Sequence, residues 1–302
     1  MTRHGRNYTD NLEKAKRYGI FLETLRFIED FNHEATKRSY KVGLNQFSDW
    51  TMGEVIARYT GLRPRSKSSN SSAPNTFKYQ NVTQVPNSVN WVDRGVVGSI
   101  KFQGTCGSCW SFSAAAAVES ITAITTGVLP DLSEQQLINC ATNGGNHGCE
   151  GGYMDDAFEY IVQNQGISSE ETYPYVGING TCDAKAASVA ATWISGYEDV
   201  PVSEDEILKA VAMQPVSISV DMSSDGFRNY VGGVFEGPCG ANLNHAVVIV
   251  GYGTTVDGVD YWLIKNSWGV MWGEEGYMRI LRNSGIQGGL CGLAMEASYP
   301  VA

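Results

Sequence analysis

Apolar residues recur at three- and four-residue steps between Asn11 and Asn32, at Leu12, Ala15, Tyr18, Phe21, Leu22, Leu25 and Ile28. That spacing predicts one amphipathic helix. Tyr40-Lys41-Val42-Gly43-Leu44 reads as a short strand. Thr51, with Glu54 three residues on, predicts a capped helix over Thr51–Tyr59. Residues 63–76 hold almost no apolar side chains, so burial cannot offset the entropy of ordering them. They read as part of an extended linker over about 63–84. Beyond it, Ser108–Thr125 reads as a long helix with an alanine run, Ala114–Ala117. Ser133 caps a second helix with Gln136 three residues later, and Asp155–Gln163 reads as a third. From about residue 196 the period changes. Val216–Val220, Ala246–Val250, Tyr261–Lys265 and Tyr277–Leu281 are short β-rich runs between Gly and Asp turns. The pattern predicts an α+β chain: a region 1–84, a helical lobe over about 95–195 and a β-rich lobe over about 196–302. No internal repeat is visible.

Charge sharpens that division. The chain of 302 residues carries a net −10, but residues 1–84 sum to +6 and residues 85–302 to −16. An acidic main body disfavours nucleic acid, and a basic first part is attracted to it. No apolar run is long enough to span a bilayer, so no membrane partner is expected. Seven cysteines accompany four glycosylation sequons, at Asn7, Asn70, Asn81 and Asn179. Together they point to a secretory history, although the first residues lack a leader's apolar stretch. A leader removed upstream reconciles the two. An odd cysteine count implies pairs plus one free thiol, and leaves on the order of a hundred arrangements open.

The chemistry concentrates in Gln103-Gly104-Thr105-Cys106-Gly107-Ser108-Cys109-Trp110. Cys106 and Cys109 form a Cys-x-x-Cys pair, which in other settings is a redox or zinc element. Zinc needs two further ligands at matching spacing, and His4, His33 and His147 do not supply them; no metal or cofactor is expected. A redox pair needs a βαβ context that does not follow. Cys109 opens the predicted helix, where the macrodipole favours a thiolate. His245 lies 136 residues on and Asn266 lies 157 on. An imidazole can stabilise a thiolate and protonate a leaving amine, and a neutral amide can orient the ring.

Cys-Gly-Ser-Cys-Trp, Asn244-His245-Ala246 and Asn266-Ser267-Trp268-Gly269 together resemble the papain-like cysteine peptidases, of the cathepsin L-like plant type. The likeness covers essentially the whole chain. It implies a two-lobe fold with a helical lobe and a β-barrel-like lobe, and a Cys109–His245–Asn266 site. Trp268 would shield the His–Asn bond, and Gln103 would donate to the oxyanion. It implies the bridges Cys106–Cys149, Cys140–Cys182 and Cys239–Cys291, leaving Cys109 free. Glu13, Arg17, Ile20-Phe21, Ile28 and Asn32, then Gly43-x-Asn45-x-Phe47-x-Asp49, resemble the family's inhibitory propeptide. That segment would run backwards through the cleft, with the stretch near 63–84 crossing the site and cut near Val85. A zymogen activated by acid follows, with peptide substrates, cystatin-type inhibitors and a monomeric state. The destination is an acidic vacuole- or lysosome-like compartment or the cell exterior.

Carried over by position, Tyr153, Met154, Ser219, Leu243, Glu296 and Trp268 would surround the substrate pocket. Aliphatic or aromatic side chains should bind there; Glu296 admits Arg if it points inward and is silent if it turns to solvent. Two positions depart from the pattern: Thr24 stands where Asn is usual, and Phe102 where Asn or Asp precedes Gln103. Two other classes stay open, a non-catalytic relative serving in binding or defence and a Cys–His acyltransferase. The intact Gln103, Cys109, His245 and Asn266 speak against the first. The propeptide and bridges speak against the second.

Overall fold

A computed structural model describes residues 7–33, 38–63, 77–142 and 144–302. The first segment holds α1 (Asn11–His33), β1 (Tyr40–Val42) and α2 (Met52–Tyr59). Thr51 caps α2 through a reciprocal box: its hydroxyl accepts from Glu54 N–H, and the Glu54 carboxylate accepts from Thr51 N–H. Arg17 on α1 donates to Glu13 and to both oxygens of Glu54, locking α1 to α2. The protected face of α1 is shorter than the apolar stripe suggests. Thr24, Ile28 and Phe31 are buried, while Leu12 and Tyr18 are exposed. The buried apolar contacts come from the C-terminal half of the helix, while the N-terminal half is held to α2 by Lys16 and Arg17. At the position where the family pattern favours Asn, Thr24 is buried.

The remainder contains β2 (Val89–Asn90), α3 (Cys109–Thr126), α4 (Glu134–Cys140), α5 (Met154–Gln163), α6 (Ala184–Ala187), β3 (Gly196–Asp199), α7 (Glu204–Met213), β4 (Val216–Val220), α8 (Asp225–Arg228), β5 (Tyr230–Phe235), β6 (His245–Thr254), β7 (Asp260–Lys265), β8 (Tyr277–Leu281) and β9 (Ala297–Val301). The strands form one sheet in the order β1-β5-β8-β7-β6-β4-β9-β3, with β2 added to β6. All pairs are antiparallel except β5–β8.

The expected barrel-like lobe needs correction in one respect: this sheet does not close. Its outer strands are β1 and β3, and β1 comes from the first segment. By pairing with β5 it occupies an edge that would otherwise be exposed. The close approach requires glycine. Gly233 has φ +94°, and a Cβ there would sit 2.3 Å from Ser39 O.

Two cores flank the cleft. One joins the sheet to α7 and to Phe31, Tyr40, Phe47, Val55 and Tyr59 of the first segment. The other packs α3, α4 and α5. Ser113 of α3 ties them together, donating to Val247 O of β6 at 2.8 Å and accepting from Ser217 Oγ at 3.1 Å. Cys106–Cys149 and Cys140–Cys182 staple the helical side, and Cys239–Cys291 the strand side. Closing loops of this length contributes about 4 kcal/mol each in the chain-entropy picture.

Candidate active site

Cys109 is the first residue of α3 and the unpaired cysteine. Because Cys106 is bridged to Cys149, the Cys-x-x-Cys spacing holds one thiol rather than two. Ser108, the N-cap of α3, makes no side-chain capping bond, and its carbonyl accepts from Ser111 N–H and Phe112 N–H, so the positive end of the helix lies beside the sulfur. Backbone groups of Ala246, Gly61, Trp110 and Cys109 itself face the sulfur and favour its anion. The sulfur therefore lies next to the residue that follows His245.

His245 opens β6 and is fully buried. Its Nε2 lies 2.9 Å from Asn266 Oδ1, just beyond β7. That oxygen also accepts from Ser267 N–H at 2.8 Å, which fixes the amide with its oxygen toward the ring. Nε2 is then the protonated nitrogen, and Nδ1, buried without a hydrogen bond, keeps its lone pair. Trp268 stacks on the imidazole at 4.6 Å between centroids. Gln103 is buried and held from several sides. Its N–H donates to Ser267 O at 2.9 Å, its Oε1 accepts from Ser267 Oγ at 2.6 Å, and its Nε2 donates to Cys106 O at 2.9 Å. Phe102 is half-exposed, with its ring 6.4 Å from that of Tyr59, so the departure there faces the first segment.

The chain just after α2 threads this site. Gly61 N–H and Leu62 N–H donate to Asn244 O at 3.3 and 3.1 Å on one side. On the other, Gly152 N–H donates to Gly61 O at 2.8 Å, and Arg63 N–H to Gly152 O at 3.2 Å. Leu62 and Gly152 run parallel. Trp268 Nε1 donates to Tyr59 O at 3.1 Å, and Gln46 Nε2 to Trp268 O at 2.8 Å. Among the described residues those in the cleft are 60–63, which meet the start of the 63–84 stretch expected to cross it; residues 64–76 of that stretch lie outside the described residues. Gly61 explains the register: a Cβ there would lie 1.9 Å from Gly107 O. The linker over 63–84 is corrected at its far end: Phe77 and Tyr79 are buried against Tyr299. Tyr79 O–H donates to Gln214 Oε1 at 2.8 Å, and Lys78 N–H to Glu198 Oε2 at 2.7 Å. Two aromatic anchors outside the apolar-poor run dock this piece.

Burial moves both the Cys109 thiol and the His245 imidazole toward neutrality. It pushes the Cys109 thiol up to about 12, against those backbone groups. It pulls His245 down to about 4, against the Asn266 bond that favours imidazolium.

The six pocket candidates gather at this site. Leu62, Tyr153, Met154 and Ala246 share a buried cluster with Cys109, and Leu243 packs on it. Ser219 N–H donates to Glu296 O at 3.0 Å, continuing the β4–β9 pairing, so both side chains share the face of Ala246 and Ser217. Ser219 Oγ and Glu296 Oε2 are buried without a hydrogen bond. Trp268 lies beside the imidazole. Of the sequons, Asn7 and Asn81 are exposed, Asn179 is exposed with its Nδ2 donating to Glu150, and Asn70 lies outside the described residues. Tyr175 and Ser267 escaped the sequence reading. Both act through backbone or amide contacts to Gln103, and a lone Tyr or Ser carries no spacing signal.

An unpaired thiol at a helix start, an imidazole held by an amide just past a neighbouring strand, and a strap over both come together in this cleft. Residues 85–301 match the papain family cysteine protease model, and residues 1–55 match the cathepsin propeptide inhibitor domain. The chain belongs to the papain family of cysteine proteases, enzymes that hydrolyse peptide bonds, and carries a propeptide inhibitor domain. It is 48% identical to the senescence-specific cysteine protease SAG12 of Arabidopsis thaliana, over 99% of this chain and 88% of that protein. It is 46% identical to SAG39 of Oryza sativa subsp. indica, over 100% and 88%. Among solved structures it resembles recombinant stem bromelain precursor (TM-score 0.88, 42% identity, 100% and 96% covered). It also resembles the ragweed pollen allergen Amb a 11 cysteine protease in its proform (TM-score 0.89, 39%, 99% and 91%).

Proposed function

We propose that this chain is the latent precursor of a cysteine endopeptidase whose nucleophile is Cys109. The observation that carries the reading is the unpaired Cys109 at the start of α3, in one buried cluster with Ala246, the neighbour of the Asn266-held His245. With the cleft open, the Cys109 thiolate attacks the substrate carbonyl carbon. Cys109 N–H and Gln103 Nε2 stabilise the oxyanion. His245 then protonates the leaving amine and, in the second half, takes a proton from the water that hydrolyses the thioester. Asn266 orients the ring throughout, and Trp268 shields that bond.

Residues 1–84 serve as the inhibitor and 85–302 as the mature peptidase, cut near Val85. Support comes from the strap at 60–63 and from the second family match beginning at 85. Acid promotes the release. The charge split favours this. The α1–α2 lock is not the trigger. Burial raises Glu54, but hydrogen bonds from Arg17, Thr51 and Lys16 outweigh it and hold it at about 2. Its stabilisation is full above its ordinary value of 4.5 and is lost only as pH falls toward 2. Processing is therefore expected to accelerate from pH 7 to pH 4 while α1 and α2 stay helical. Gel-resolved processing rates with far-ultraviolet circular dichroism check this; fastest processing at pH 7 would count against it.

The cleft pocket takes aliphatic and aromatic side chains at the second position upstream of the cut, as Leu62 suggests. The buried Glu296 carboxylate adds Arg. Glu296→Ala should lower kcat/KM for an Arg substrate about tenfold and leave a Phe substrate within twofold. An unchanged Arg rate would dismiss the role. The disulfides and the plant relatives favour a secretory route to an acidic vacuole- or lysosome-like compartment or the cell exterior. Cystatin-type inhibitors and a monomeric state belong to the same proposal.

A further inference from the structure

The donors proposed for the oxyanion, Gln103 Nε2 and Cys109 N–H, stand at the two ends of one loop. One phenol reaches both ends. Tyr175 O–H donates to Gln103 O at 2.6 Å, and Ser108 Oγ lies 3.0 Å from the same phenolic oxygen. A phenol has a single proton. With it spent on the Gln103 carbonyl, Ser108 is the donor of the second bond. The bonds run in series, Ser108 hydroxyl to Tyr175 hydroxyl to Gln103 carbonyl, and each polarises the next. Ser108 immediately precedes the nucleophile.

Tyr175 is itself rigidly mounted. Its own N–H donates to Glu170 Oε1 at 2.8 Å. The next two amides, of Val176 and Gly177, both donate to Gln135 Oε1 of α4, at 2.9 and 3.0 Å. Its ring meets Phe112 of α3 edge-on at 5.0 Å. Three consecutive residues are anchored to the helical lobe independently of the loop. Cys106–Cys149 fixes the middle of the loop, and the phenol fixes the ends. Burial pushes the phenol up to about 12, so it stays protonated wherever a peptidase works.

We infer that Tyr175 is a positioning residue for this site, holding residues 103–109 so that the Gln103 amide and the Cys109 N–H converge on one developing oxyanion. The inference rests on the peptidase reading above. Tyr175 touches no reacting atom. Its effect should therefore appear where an oxyanion forms and not where the thiol merely displaces a leaving group.

The test uses the full chain carrying Tyr175→Phe, which keeps the ring on Phe112, processed in trans by a trace of wild-type enzyme. Deleting one oxyanion donor costs about a hundredfold or more, and loosening a pair costs less. We expect kcat to fall about tenfold with KM within twofold. Affinity for a peptide aldehyde, which forms a tetrahedral adduct, should fall by the same factor. The rate of Cys109 alkylation by iodoacetamide and its pH profile should be unchanged. Ser108→Ala should show the same signature at about threefold, and it carries the test if Tyr175→Phe does not fold. Unchanged kcat and aldehyde affinity overturn the inference, as does an alkylation rate that falls in proportion. A wild-type chain that neither cleaves peptides nor alkylates at Cys109 overturns the peptidase reading instead.

Discussion

Cys109→Ala is expected to abolish peptide hydrolysis, with kcat/KM falling about a hundred-thousand-fold. The nucleophile forms the covalent intermediate, and the remaining groups serve only that step. The substitution is nearly isosteric, so the fold should survive. Cys109 is the one cysteine outside the three bridges, and removing its sulfur breaks no disulfide. Assays on a fluorogenic peptide, with wild-type and variant chains taken through the same processing, measure the loss. The variant precursor should also remain full length in acid, yet be cut when wild-type enzyme is added. Residual hydrolysis within tenfold of wild type would mean that another group attacks the carbonyl.

Gly61→Val should destroy latency. Gly61 is wedged under the loop that ends at Cys109, where a Cβ would lie 1.9 Å from Gly107 O and 2.4 Å from Gly107 C. Both are backbone atoms that cannot swing away. Gly107 is itself tight, since a Cβ there would come within 2.5 Å of Cys149 O. Two backbones pass at glycine distance, and neither can yield without moving Cys109. The variant strap must lift, losing the hydrogen bonds to Asn244 and Gly152 and the burial of Leu62, about 2 kcal/mol for that side chain alone. Added to the mature enzyme in trans, a segment 1–84 carrying the change should inhibit at least a hundredfold more weakly than the native segment. Equal inhibition constants would show that Gly61 does not sit in the cleft. Because α1 and α2 make no use of Gly61, the segment should keep its helicity.

Much of this was legible in the sequence, for reasons that differ by element. Thr51–Glu54 and Ser133–Gln136 announce helix starts through local hydrogen bonds, and both caps are present. Val216–Val220 and Tyr277–Leu281 match β4 and β8 end to end, being β-rich runs bounded by turns. β5 was not legible. Tyr230–Phe235 carries two glycines, which lower strand propensity, and Gly233 is required because Ser39 and Tyr40 pass closely. The α1 stripe misled at its start, since Leu12 and Tyr18 point away from the body. Periodicity reports a face, and only tertiary contact says how much of it is covered. At the site, Cys109, His245 and Asn266 stood out through motif spacing. Gly61 and Tyr175 did not, because their roles depend on backbone atoms brought near by the fold. The same holds for Lys101, whose ammonium is gathered with Glu119, Asp131 and Glu134 across distant stretches.

Cys109 is thus proposed as the reactive thiol, kept neutral by residues 60–63 until they leave. Burial puts the covered thiol near 12 and the imidazole near 4, so between those values both are uncharged and thiolate is scarce. Removing the strap is expected to relieve part of that burial, lowering the thiol pKa and raising that of His245. The most direct measurement is labelling by a peptidyl epoxide at pH 6, before and after processing, with the modified residue located by mass spectrometry. The account predicts one label, on Cys109, appearing only in the processed chain. Labelling of the intact chain at the same rate, or on any other residue, would contradict it.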